Sequence, residues 1–254
     1  MTEILIEEVW KDNLTKSGGK VIEMLSKNRV LVEFDTGNKE VLYIVNLARG
    51  EFKNPMTPSV LGRGFMGKKY HKRSPFQSVW GNMMHRCYAS QLTEKYRTYI
   101  DVEVDPSWYN FSVFEDWCLK THPDLDNLKG YQLDKDLKSG ILYSENTCVW
   151  LPRKLNQFIN CEKARPNSET GVIGVSPVYV KGVFKRYEVR GADRFGKRAV
   201  IGYTSNLEKG ADMFFSFKKN ELDFLAKYFY DRNEINEETL NLLLDFNFNR
   251  KQEK

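Results

Sequence analysis

The chain has 254 residues, 41% of them hydrophobic and 13% aromatic, with a formal net charge of +5. That supports one large or two to three small cores, while no run approaches the roughly 20 apolar residues that span a bilayer. A membrane partner is therefore not expected, and the acidic opening MTEILIEEVW is unlike a secretory leader, so the expected location is a cytoplasm, that of a host cell if the protein is viral.

From Gly18 to Asn54 the pattern is β. KVIEML, the turn SKN, the alternating VLVEF, the turn DTGN and EVLYIVNL predict short strands that make a small barrel, assigned to residues 1–58. Residues 59–74 form an extended, basic connection within a stretch rich in Gly and Pro. Its Lys68, Lys69, Lys72 and Arg73 are expected to track DNA phosphates. The barrel has eight basic and nine acidic residues up to position 59, so a positioning or protein-contact role suits it better than strong DNA binding.

Between Pro75 and Trp117 the period turns helical. Phe76, Val79, Trp80, Met83 and Met84 recur at spacings of three and four, as do Phe111, Phe114 and Trp117, and all are expected in a core. Pro106-Ser107-Trp108 opens the second of these helices, and the acidic THPDLDN ends it. His85 and His122 are expected at the surface. Cys87, Cys118, Cys148 and Cys161 form no CxxC pair and only three histidines are present, so buried thiols fit better than structural zinc.

The segment YQLDKDLKSGILYSENTCVWLPRKLNQFIN, Tyr131 to Asn160, carries the strongest signal. A strand over Gln132–Leu137, a tight Ser139-Gly140 turn, a second strand over Thr147–Leu151 and a helix opened by Pro152 have the layout of a one-metal nuclease core. In a strand, Asp134 and Asp136 share a face while Lys135 takes the other. Asn156 on the helix is placed to add a neutral oxygen ligand, and hard oxygen donors of this kind suit Mg²⁺ or Mn²⁺. Such an ion binds a phosphate oxygen, stabilises the leaving 3′ oxygen and neutralises charge at phosphorus.

After the polar bridge CEKARPNSETG, strands are expected at Val172–Ser176, Phe184–Gly191 and Arg198–Tyr203. A helix follows over about 207–230, with Met213, Phe214, Phe217, Phe224, Leu225 and Phe229 as its apolar stripe, and a last helix runs from Glu237 to Asp245. Charge is arranged in blocks. Residues 60–100 hold eight basic and one acidic residue, residues 101–150 four and ten, and residues 151–200 eleven and four. Cationic flanks around an acidic centre suit a metal-dependent enzyme acting on phosphodiesters.

Residues 75–160 resemble the HNH (ββα-metal) nucleases, specifically the homing-type endonucleases of bacteriophages. The family pattern falls on Leu133-Asp134-Lys135, on Asn146-Thr147-Cys148-Val149-Trp150-Leu151 and on Asn156, and the upstream WGNMMHRCY and YIDVEVDPSWYNFSVFEDW are similar to the segment preceding the core in phage members. The resemblance implies a nuclease core over 75–162, with Asp134 and Asn156 as metal ligands and Asn146 fixing the connecting loop. Lys135 stands where the family has its general-base histidine. A lysine ammonium is charged at neutral pH and does not accept a proton from water, so Lys135 is expected to act as a charge on the phosphate, in a slow enzyme.

Residues 168–246 are similar to the APETALA-type DNA-binding domain with a terminal helix, on GVIGVSPVYVKGVFKRYEVRG followed by AVIGYTSNLEKGADMFF. On FKRYEVRG, Tyr187 and Val189 share one face and Arg186, Glu188 and Arg190 the other. With Lys181, Lys185, Arg194, Lys197 and Arg198 these make a cationic sheet surface for double-stranded DNA, and Arg86 is counted with them. The expectation is an α+β, Mg²⁺-dependent DNA endonuclease. A DNA-binding or regulatory protein descended from such a nuclease, without its chemistry, is the alternative.

Overall fold

Period-two alternation at the N-terminal end is realised as β1 (Val9–Lys11), β2 (Gly18–Ser26), β3 (Arg29–Phe34) and β4 (Lys39–Tyr43), an antiparallel meander in chain order. These elements belong to a computed structural model that describes residues 9–11, 13, 17–67, 74–89, 99–138, 140–160 and 167–248. Val21, Val30, Val32, Phe34 and Leu42 point to one side and build a core with Leu47 and Phe52. Among the described residues the sheet stays open, with β1 and β4 as its edges, and does not close into the expected barrel. The last predicted strand is cut short for a packing reason: its IVNL portion becomes α1 (Ile44–Ala48), and helical spacing of three carries both Ile44 and Leu47 onto the core.

The described residues divide into two compact units, one within Met1–Lys120 and Ile141–Glu145, the other within Thr121–Gly140 and Asn146–Lys254. In the first, α2 (Gln77–Tyr88) and α3 (Phe111–Thr121) bury the periodic aromatics read from the sequence. Trp108 lies 4.8 Å from Trp117 and 5.0 Å from Phe114, ring centre to ring centre, and its carbonyl accepts a 2.7 Å bond from Trp80 Nε1. The helix expected from Pro106 is broken. Pro106–Tyr109 is a 3-10 turn capped by Asp105, and Asn110 is extended, bridging to Phe65 before α3 begins. The strand β5 (Glu103–Val104) precedes this turn.

The second unit opens with β6 (Tyr131–Asp134). The chain returns to the first unit as β7 (Leu142–Tyr143), parallel to β5, before β8 (Val149–Pro152) pairs antiparallel with β6 and leads directly into α4 (Arg153–Ile159). Then come β9 (Val175–Val180), β10 (Val183–Ala192) and β11 (Arg198–Thr204), a sheet of order β11-β10-β9, with α5 (Leu207–Asp231) and α6 (Glu237–Leu244). The first of these strands begins later than expected because Gly171 and Gly174 turn the chain with φ of +65° and +74°. A Cβ on Gly174 would lie 2.2 Å from the Phe214 ring, so this aromatic of α5 seats on bare backbone.

The long helix has two apolar faces. Phe214 meets Val175 and Val189 of the sheet, while Leu222, Leu225, Ala226 and Phe229 pack with Val149, Leu151, Leu155 and Ile159 in one core shared by the ββα element and α5. Phe224 departs from the expected stripe and stands exposed. Asn206 and Asn236 cap α5 and α6 by accepting from Lys209 N and Thr239 N. No helix of the described residues is long and apolar enough to cross a membrane.

Candidate functional site

The register of β6 and β8 fixes which side chains can work together. Gln132 pairs with Leu151 and Asp134 with Val149, whereas Leu133 pairs with Trp150. Paired residues of an antiparallel ladder point to the same side. Gln132, Asp134, Val149 and Leu151 therefore face α4, as the burial of Val149 and Leu151 against Leu155 and Ile159 requires. Asn156, on α4, donates from Nδ2 to Gln132 Oε1 at 2.8 Å and accepts at Oδ1 from Asn160 Nδ2 at 2.9 Å. Asp134 is 5% exposed, and its Oδ1 accepts from Leu137 N at 2.8 Å. Helix and strand thus turn a carboxamide and a carboxylate toward the same interface. Gln132, absent from the sequence-derived site, is the strand side chain that Asn156 bonds; its spacing of two from Asp134 was the available signal.

The neighbouring residues are arranged differently from expectation. β6 ends at Asp134, so strand alternation does not bring Asp136 to the face of Asp134. Asp136 is exposed and accepts from Lys135 Nζ at 2.7 Å. Lys135 is 6% exposed, with Nζ also 3.3 Å from the Gly140 carbonyl oxygen, so its ammonium is folded into its own turn rather than held out for a phosphate. Asn146 is exposed in the turn before β8.

Of the two histidines expected at the surface, His85 is exposed, whereas His122 is 7% exposed and buried. Its ring lies 5.0 Å from Tyr131 and 4.6 Å from Trp150, and Nδ1 accepts from Asp124 N. Tyr131 and Trp150 belong to the opposite side of the two-stranded ladder from Asp134, so His122 is not placed to serve that carboxylate. Burial pushes its pKa below the ordinary histidine value, outweighing the opposite pull of Asp124.

Among the described residues no group of three His, Cys, Asp or Glu could hold a metal. The donor chemistry around Asp134 and Asn156 is a mixed carboxylate and carboxamide set. That set fits a hard cation such as Mg²⁺ or Mn²⁺, which keeps several waters when protein ligands are few, and the bonds from Leu137 and Asn160 orient the two donors.

The C-terminal sheet carries the cations. On the face of β10 away from Val189, Arg186 stacks 3.8 Å from the Tyr203 ring centre, and Glu188 accepts from Arg190 Nε at 2.5 Å and from Tyr203 Oη at 3.2 Å. Arg190 holds the Glu188 carboxyl below the usual range. Lys181 sits at the β9–β10 turn with φ of +51°, and Lys185, Lys197 and Arg198 are exposed. Arg190 and Arg198 also line a cleft of about 920 Å³ that reaches Gln132 and Asn160.

Arg194 serves a structural purpose. Its backbone N, Nε and Nη2 all donate to Glu221, at 2.7, 2.8 and 2.8 Å, which removes it from the set of open DNA contacts. Arg86 is partly buried on α2 and donates to Tyr143 Oη. Lys68, Lys69, Lys72 and Arg73 lie outside the described residues. In comparisons with protein-family models, curated proteins and solved structures, the chain matches none.

Proposed function

We propose that the chain is a Mg²⁺-dependent DNA endonuclease of the HNH type, cleaving phosphodiester bonds of duplex DNA bound through its C-terminal sheet. The observation that carries this reading is the β6–β8–α4 element, in which Asp134 shares with Gln132 the strand face turned to α4, and Asn156 of α4 donates to Gln132. Asp134 and Asn156 would hold the ion. When bound, the ion supplies positive charge to the scissile phosphate. Leu137 N and Asn160 keep the two donors in place, and Lys181, Lys185, Arg186, Lys197 and Arg198 hold the flanking phosphates. Neither Lys135, ion-paired with Asp136, nor His122, on the other face of the ladder, is positioned to take the proton of water. Turnover is therefore slow. The open N-terminal sheet remains a surface for protein contact.

Supercoiled plasmid incubated with Mg²⁺ or Mn²⁺ tests this. Nicking is expected with either ion and none in EDTA. Asp134→Asn keeps an oxygen for Leu137 N but removes the charge, and should abolish nicking while leaving duplex affinity within about twofold. The buried, paired ammonium of Lys135 favours a second reading, a DNA-binding protein without chemistry. Binding with no nicking in either ion from pH 6 to pH 9 would establish that reading in place of the first.

A further inference from the structure

A cleft of about 620 Å³, not lined by Asp134 or Asn156, lies between the start of α4, the β10–β11 hairpin and the last turns of α5. Arg153, Lys154, Phe195, Phe224, Tyr228 and Arg232 line it. Cations and aromatics alternate around its wall. Lys154 Nζ is 5.5 Å from the Phe195 ring centre, and the Arg232 guanidinium is 5.4 Å from that of Tyr228. Glu234 is the one carboxylate among its described lining residues, and Arg232 Nε neutralises it at 2.6 Å.

Phe195 is 79% exposed at the tip of the hairpin, an expensive place for a phenyl ring unless something covers it. The tip is nevertheless tied down by hydrogen bonds. Asp193 Oδ1 accepts from Phe195 N at 2.8 Å and from Lys197 N at 2.9 Å, and Glu221, 10% exposed at its side chain, clamps Arg194. Two carboxylates, Asp193 and Glu221, thus fix a loop that presents a bare aromatic beside a lysine. Tyr228 and Phe224 add further half-exposed rings on α5.

We propose that this cleft binds an unpaired segment of a nucleic-acid strand, with a base stacked on Phe195 or Tyr228 and its phosphates on Arg153 and Lys154. Every base offers a π face to an aromatic ring, and cations interleaved with rings match a strand in which phosphates and bases alternate. In a duplex both base faces are covered by neighbours, so only an unstacked nucleotide can enter. The volume is in the range of sites that enclose small ligands. This site borders the duplex-binding sheet at the β10–β11 hairpin, is lined by other side chains than the five cations assigned to duplex phosphates, and is independent of metal chemistry.

Fluorescence anisotropy in EDTA tests it, with the full chain, a labelled dT12 oligomer, an abasic oligomer of the same length and a blunt duplex. The wild type should bind dT12 at least tenfold more tightly than the abasic strand. Phe195→Ala and Tyr228→Ala should each weaken dT12 binding by about tenfold and change duplex binding less than twofold. Both rings are exposed enough for these variants to fold, which circular dichroism checks. Equal affinity for dT12 and abasic strand, or unchanged dT12 binding in both variants, overturns the proposal. So does sedimentation showing that Phe195 holds two copies together while dT12 binding is indifferent to its removal. The assay contains no metal, so failure here leaves the nicking experiment to decide its own question.

Discussion

His122 shows how a residue type can mislead when its place in the ladder is unknown. A loop histidine next to a carboxylate-bearing strand looks like a reserve base, yet it is enclosed by Tyr131 and Trp150 on the far side of that strand. Its consequence is for stability. The folded state lowers its proton affinity, so the unfolded chain binds more protons below the ordinary histidine pKa of about 6.5. The stabilising contribution is fully present above that pH and is lost as pH falls toward the depressed folded value. Wild-type Tm should accordingly drop more steeply between pH 7.5 and pH 5 than that of His122→Gln, which has no titrating ring. Parallel Tm-versus-pH curves for the two proteins would contradict this account. Lys135 belongs to the same scale: its identity says charge, but its burial and its bonds to Asp136 and Gly140 decide what the charge does.

At the scale of elements, α5 is the beam on which the second unit is built, since one of its faces covers the C-terminal sheet and another closes the core of the ββα element. Leu222 is fully buried in that second core. Leu222→Ala should cost about 2–5 kcal/mol, read by urea unfolding, with loss of the ββα packing as well as of the helix. A cost under about 1 kcal/mol would mean that the two elements do not share a core. Much of this level was legible. The ββα order, the three C-terminal strands and both terminal helices follow from period and punctuation, and the aromatic periodicity over Phe76–Met84 and Phe111–Trp117 marked true core positions. What escaped was set by contacts between elements distant in sequence. Strand alternation continued through IVNL, but the covered sheet drew Ile44 and Leu47 into α1. Phe224 fits a helical stripe as well as Leu222 does, and only the position of α4 and the hairpin tells which is covered. Of the candidate site, Asp134 and Asn156 could be read from their positions, whereas Gln132, the ending of β6 at Asp134 and the clamp of Glu221 on Arg194 depend on partners at long range.

For the whole molecule, the blocks of charge in the sequence matter through what remains open after folding. Arg190 is drawn onto Glu188 and Arg194 onto Glu221, so two arginines of the 151–200 block are already paired within the protein. Lys181, Lys185, Arg186, Lys197 and Arg198 stay exposed on the C-terminal sheet and its turns, five cations for duplex phosphates. Each phosphate neutralised releases condensed counterions, with a slope of about −0.9 in log affinity against log salt. Full engagement of the five would give a slope of about −4 to −5 for metal-free duplex binding. Replacing Lys185 by Ala should weaken binding to all sequences alike and reduce the slope by about one. Arg194→Ala should act differently, lowering stability by releasing Glu221 while leaving the slope unchanged, because its guanidinium is already held by a carboxylate. A slope near zero for the wild type would remove electrostatic duplex binding from this surface, and a full unit lost in Arg194→Ala would show that the clamp opens on DNA.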